Sequence, residues 1–159
     1  MKFMKAAIKE ALKAEQKGEV PVGAVIVKDG KIIARAHNLR NTLHDGTAHA
    51  EVLAIKRAGK KLGVWNLSGC DMYVTLEPCA MCGGAAVNSR IRKIYFGAYD
   101  KRYGCCCSIM NVVDAGLNHT VEIEGGIMEK ECSSILTEFF KKLRAQAKKN
   151  EQTIDIKGE

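Results

Sequence analysis

Two short stretches set the strongest limit on the folds open to this chain: Thr47-Ala48-His49-Ala50-Glu51 and Glu77-Pro78-Cys79-Ala80-Met81-Cys82. Together they hold one imidazole, two thiols and one carboxylate. That is the donor set of a catalytic zinc site with three protein ligands and a water in the fourth position. Cys79 and Cys82 are three apart and share one face of a helix. Pro78 suits that helix's first turn, where a missing N–H costs nothing. Thiolates at a helix N-terminus are favoured by the dipole, which lowers thiol pKa. His49 and Glu51, two apart, do not share a helix face. Because Cβ bonds tilt toward the helix N-terminus, both still reach a site just beyond the helix end. The expectation is two helix N-termini aimed at one ion.

The ligand count defines the role of Glu51. With His49, Cys79 and Cys82 on the metal, zinc lowers the pKa of the remaining water toward neutrality. A carboxylate beside the ion, not on it, takes that proton and passes it to a substrate ring nitrogen, then to a departing amine. The competing reading is a closed zinc knuckle with Glu51 as a solvated helix residue. Structural sites normally have four protein ligands, often with a second Cys/His pair, and the chain has no second C-x-x-C.

At 159 residues the chain is one domain's worth, with enough length to bury a substantial core. No apolar run is long enough to span a bilayer. The opening Met1-Lys2-Phe3-Met4-Lys5 keeps charges within its apolar pattern, unlike the apolar stretch of a signal peptide. Two of the seven cysteines are assigned to zinc, and an odd total points to free thiols in a reducing cytoplasm. A formal charge of +7 attracts polyanions, with nucleic acid the natural candidate. Charge alone does not establish such a partner.

Hydrophobic periodicity predicts an amphipathic helix over 3–17 with Met4, Ile8, Ala11 and Leu12 on one face, stopped by Gly18. Residues 20–27 read as a strand covered on both faces, and Lys28-Asp29-Gly30-Lys31 as a hairpin turn into an antiparallel strand over 31–37. A loop over 38–46 leads into the His49 helix, which runs to about residue 58. Strands follow at 71–76, 92–97 and 119–124. Gly83 and Gly84 inside the second metal helix cost about 1 kcal/mol each relative to alanine. Either another backbone approaches closely there, such as the first metal helix or a partner subunit, or the helix is short and frayed. The connection 98–118 is long enough to act as a lid and has room for a short helix over 109–113. A closing helix over 127–148 turns Cys132, Ile135, Leu136, Phe139, Phe140 and Leu143 inward, and 150–159 reads as a polar disordered tail after a single folded domain over 1–149. The predicted fold class is α/β: a three-layer α/β/α arrangement around a mixed five-stranded sheet.

His-x-Glu followed by Pro-Cys-x-x-Cys resembles the signature of the zinc nucleobase deaminases. From about residue 3 to 149 the chain is similar to the bacterial tRNA-specific adenosine deaminases of the cytidine-deaminase-like superfamily. The matching segments include Glu19-Val20-Pro21-Val22-Gly23-Ala24, Tyr73-Val74-Thr75-Leu76-Glu77-Pro78-Cys79 and Ser89-Arg90-Ile91. Gly116-Leu117-Asn118-His119 and Glu138-Phe139-Phe140 resemble the tRNA enzymes in particular. The resemblance implies a cytoplasmic homodimer with one zinc ion per subunit. Each site would receive a tRNA anticodon loop and convert the wobble adenosine to inosine. It also implies that His49, Cys79 and Cys82 bind the metal, that Glu51 shuttles the proton and that Asn38 hydrogen-bonds the target base. An amide offers both a donor and an acceptor to a purine edge, although Asn38 could equally close the preceding strand.

Single-stranded RNA is held by stacking planes and basic residues. Asp100, Lys101, Arg102 and Tyr103 in the long loop, and Phe140, Lys141, Lys142 and Arg144 on the last helix, are the candidates. Phe140 could instead be core, and the lysines a solvated face. Gly46 stands where the family often has proline, which should loosen the loop entering the metal helix, and Lys101-Arg102-Tyr103 is bulkier and more basic than the family pattern. Cys105-Cys106-Cys107 cannot all point at one ion and reads as small buried thiols packed as apolar side chains. The alternative functions are deamination of a free base or nucleoside of the guanine or cytosine type, and a non-catalytic zinc module that binds RNA. The basic last helix argues against the first and Glu51 against the second.

Overall fold

The computed structural model describes the backbone of residues 1–157 and the side chains of residues 1–150. Helix α1 (Lys2–Gln16) leads into strands β1 (Gly23–Lys28) and β2 (Lys31–His37). Their turn is the predicted one: Asp29 and Gly30 adopt φ of 49° and 70°, matching the tight, right-twisting hairpin that Asp-Gly favours. The strand begins at Gly23 and not at residue 20, because Pro21 has no N–H to donate and Val22 turns back to bond the Val20 carbonyl. A one-turn helix, α2 (Arg40–Leu43), lies in the loop that follows, and then come α3 (Ala50–Leu62), β3 (Cys70–Leu76), α4 (Ala80–Asn88) and β4 (Lys93–Ala98). Helix α3 passes through Gly59 and ends only where Gly63, at φ 70°, caps it.

The five strands are ordered β2-β1-β3-β4-β5, with β5 at Glu122–Glu124. β1 runs antiparallel to both neighbours, and β3, β4 and β5 are parallel, so the sheet is mixed as expected. Alternate residues of β1 serve two cores. Ala24 and Ile26 join Ala50, Ala54 and Ala58 of α3 and Ala86 and Val87 of α4, while Val25 and Val27 join Met4 and Ala7 of α1 and Cys132 of the last helix. Helices therefore cover both faces. None in the described residues is long and apolar enough to cross a membrane.

Some inward-facing residues differ from the prediction. On α1 the buried face is Met4, Ala7, Glu10, Ala11 and Ala14, and Leu12 is exposed. Glu10 is tolerated there because its carboxylate accepts from Lys13 Nζ at 2.7 Å and pairs with His37 Nδ1 at 2.9 Å. The last helix, α5, spans Glu129–Lys157, and the expected tail over 150–159 falls largely outside the described side chains. Cys132 and Phe139 are buried, but Phe140 and Leu143 are not. α4 is intact around its two glycines. A Cβ on Gly83 would stand 2.5 Å from a Val112 methyl group, so what approaches is the long loop, and Gly84 faces open space. In that loop the short helix is a single 3-10 turn at Val112–Asp114.

Candidate active site

His49 is the residue immediately before α3, and Cys79 is the residue immediately before α4, both with extended backbones. Cys82 lies in the first turn of α4, with the Gly83 N–H donating to the Cys79 carbonyl. Two helix N-termini thus converge on one point, as the residue spacing predicted. His49 Nδ1 is 3.5 Å from Cys82 Sγ and 3.8 Å from Cys79 Sγ, and the three ligand atoms lie within 4.8 Å of one another. Zinc bonds of about 2.3 Å to sulfur and 2.0–2.1 Å to nitrogen, at tetrahedral angles, separate N from S by roughly 3.5–3.6 Å. One nitrogen and two sulfurs at this spacing fit such an ion.

The side chains are electrostatically linked. A hydrogen bond from Cys82 pulls the Cys79 thiol down to about 4, and the same contact, with burial, pushes Cys82 up. The hydrogen bond to Cys79 raises His49 against the opposing effect of burial. Glu51 is 4 % exposed, and its Oε2 has no hydrogen-bond partner among the described residues. Burial raises its pKa. A buried carboxyl group with its pKa raised is suited to accept and return a proton.

A cavity of about 630 Å³ opens from this cluster and is lined by His49, Glu51 and Cys79 together with Asn38, Asp100, Arg102 and Phe140. Lys101 and Arg144, also expected at the substrate, are exposed and do not line it. Asn38 is buried, donating from Nδ2 to the Val20 carbonyl at 3.3 Å and accepting the Arg40 N–H at 3.4 Å. Asp100 accepts the Arg102 and Tyr103 N–H groups at 2.9 and 3.1 Å and so shapes the loop from within. Phe140 reaches the cavity from α5, which explains its exposure. Tyr99 and Arg40 line the cavity too, and sequence reasoning named neither. The loop entering α3 is held despite Gly46: Asp45 accepts the Thr47 N–H and hydroxyl, each at 2.7 Å.

The largest omission is Glu77. Its buried carboxylate accepts the N–H groups of Asp100, Cys106, Cys107 and Ser108 and the Ser108 hydroxyl, tying 100–108 to the end of β3. Burial alone would raise its pKa, but hydrogen bonds from Ser108, Asp100 and Cys107 hold it below the ordinary range. The only sequence signal was a carboxylate closing an apolar strand, since its partners lie 23 to 31 residues away. Two of the three neighbouring thiols, Cys105 and Cys106, are buried as small apolar groups, and Cys107 is exposed. Glu77→Ala strands several donors at once and should cost about 2–4 kcal/mol. A denaturant midpoint unchanged from wild type would contradict that.

Comparison with known proteins agrees with this geometry. A family model described as MafB19-like deaminase matches residues 1–144. The chain is 54% identical over 147 residues to a Bacillus subtilis protein named tRNA-specific adenosine deaminase, covering 92% of this chain and 91% of that one. A protein of the same name from Aquifex aeolicus is 54% identical over 143 residues, covering 89% and 94%. A solved structure from work on A-to-I editing by tRNA:A34 deaminases at the wobble position superposes with a TM-score of 0.82 and 43% identity, over 85% of this chain and 99% of that one. The chain belongs to the MafB19-like deaminase family, among the bacterial tRNA-specific adenosine deaminases.

Proposed function

We propose that this protein is a zinc-dependent hydrolase that converts adenosine to inosine at the wobble position of a tRNA anticodon. The observation that carries the reading is the unpartnered, buried Glu51 oxygen beside the His49, Cys79 and Cys82 cluster at the cavity wall. Zinc held by those three residues supplies Lewis-acid activation of water near neutral pH. Glu51 would take one proton from the attacking water and deliver it to the purine ring nitrogen, and would then take the proton of the newly added hydroxyl and deliver it to the leaving amine. Water is consumed and ammonia released. Asn38 keeps one amide hydrogen and spare acceptor capacity for the base edge after its two backbone bonds. Tyr99, Tyr103 and Phe140 offer stacking planes, and Arg102 a cation, to an everted single-stranded nucleotide. Asp100 shapes that wall.

Lys101 and Arg144 act on flanking phosphates. Lys142 is already paired with Glu15 at 2.9 Å, so Lys141 and Arg144 are the better candidates on α5. Neutralising both should reduce the salt slope of stem-loop binding by roughly 0.7 per lost contact. An unchanged slope would mark them as solvated surface. The protein acts in the cytoplasm as a homodimer. Seven free cysteines support the compartment, and exposed Ile109, Met110, Leu117 and Trp65 support the assembly. Sedimentation should give twice the chain mass, and a monomer at micromolar concentration would reject the dimer.

The deciding assay offers an anticodon stem-loop with adenosine at the wobble position alongside free adenosine, cytidine and guanine. Inosine in the RNA alone is the expected result. Ammonia from a free base alone would replace this reading with a small-molecule deaminase, and RNA binding without ammonia with a non-catalytic module.

A further inference from the structure

We propose that Glu19 is a positioning residue that holds the Arg40 wall of the substrate cavity in place. Glu19 is fully buried, and its Oε1 accepts the Thr42 N–H at 2.6 Å. Its own N–H bonds the Ala14 carbonyl at the end of α1, so the side chain reaches α2 from a fixed base. α2 is only four residues long, far too short to be stable alone. Asn38 has two ties of its own to this side, its N–H to the Val22 carbonyl and its Nδ2 to the Val20 carbonyl. Glu19 supplies the side-chain tie to the far end of the turn.

Arg40 is the member of α2 that lines the cavity, beside Asn38. Its backbone N–H meets Asn38 Oδ1 at a long 3.4 Å. Backbone bonds from the Leu39 N–H to the Ala48 carbonyl at 3.0 Å and from the Asp45 N–H to the Arg40 carbonyl at 3.1 Å tie the turn to the loop around it. The 2.6 Å Glu19 bond is the turn's side-chain tie to the α1 side. Thr42 and Asn41 donors, with the Arg40 charge nearby, keep the buried carboxyl group ionised against the cost of burial. Its second oxygen, Oε2, is buried with no partner among the described residues. The clasp therefore acts through Oε1 and not Oε2, and it depends first on reach. Releasing it lets the wall move away from bound substrate without disturbing His49, Glu51, Cys79 or Cys82.

This inference rests on the RNA substrate proposed above, and two substitutions separate reach from charge. Glu19→Asp keeps the charge but is one methylene too short. Glu19→Gln keeps an acceptor where Oε1 stands and puts a neutral amide where Oε2 has no partner. With the wobble-adenosine stem-loop, Glu19→Asp should raise KM up to about tenfold, as expected for loss of one hydrogen bond, with kcat and zinc content within about twofold of wild type. Glu19→Gln should restore KM to within about twofold. Amide hydrogen exchange at Thr42 should accelerate in the aspartate variant and stay slow in the glutamine variant. A wild-type KM in Glu19→Asp, or equal KM defects in both variants, would overturn the clasp. So would a fall in kcat alone. If wild-type protein leaves the stem-loop unmodified, the substrate reading fails, and Thr42 exchange still decides the clasp. Equal protection in wild type and Glu19→Asp then refutes it.

Discussion

Replacing Glu51 with alanine is expected to lower kcat on the stem-loop by about 10²–10⁴-fold, the usual contribution of a positioned general acid–base group. Zinc content and stem-loop affinity should be nearly unchanged. The loss is large because nothing stands ready to substitute. Glu77 is the other carboxylate at this end of the cavity, and its oxygens are occupied by donors from Asp100 and 106–108. The Asp100 side chain is turned to the N–H groups of Arg102 and Tyr103. Glu51→Gln preserves the shape and should lose nearly as much, because an amide cannot carry the proton. Inosine formation, metal analysis and binding anisotropy on the same preparations test this. Activity within tenfold of wild type in either variant would remove Glu51 from the proton path.

Cys82→Ala should weaken zinc binding by well over about 100-fold, beyond the 10–100-fold typical of losing an outer-shell partner. Turnover should be lost with it. Cys82 is buried in the first turn of α4 with its sulfur 3.5 Å from His49 Nδ1, so its removal leaves two ligands and a hole beside them. Cys106 provides the control. It is buried nearby, yet its sulfur does not belong to the His49, Cys79 and Cys82 cluster whose ligand atoms lie within 4.8 Å of one another. Cys106→Ala should retain stoichiometric zinc. A metal-replete Cys82→Ala, or metal loss on replacing Cys106, would reassign the ligands.

Much of the fold was legible because its signals are local. Turn chemistry at Asp29-Gly30 sets the first hairpin, and the almost wholly apolar run through β1 announces a strand covered on both faces. Apolar periodicity misled where a helix runs past its support: Phe140 continues the pattern of Phe139 but reaches the cavity and not the core. The frayed-helix alternative at Gly83-Gly84 disappears only when Val112 is seen packed against Gly83.

The spacing of His49, Cys79 and Cys82 by itself marked the group that the fold brings together as a candidate metal site, and placed Glu51 beside it as the proposed proton carrier, because helix geometry and coordination chemistry act over a few residues. Only the tertiary structure decided how the cavity is walled. Glu77 and Glu19 each hold a distant loop through side-chain bonds to backbone N–H groups. Every residue except proline carries that donor, so neither composition nor periodicity marks which ones a buried carboxylate will find.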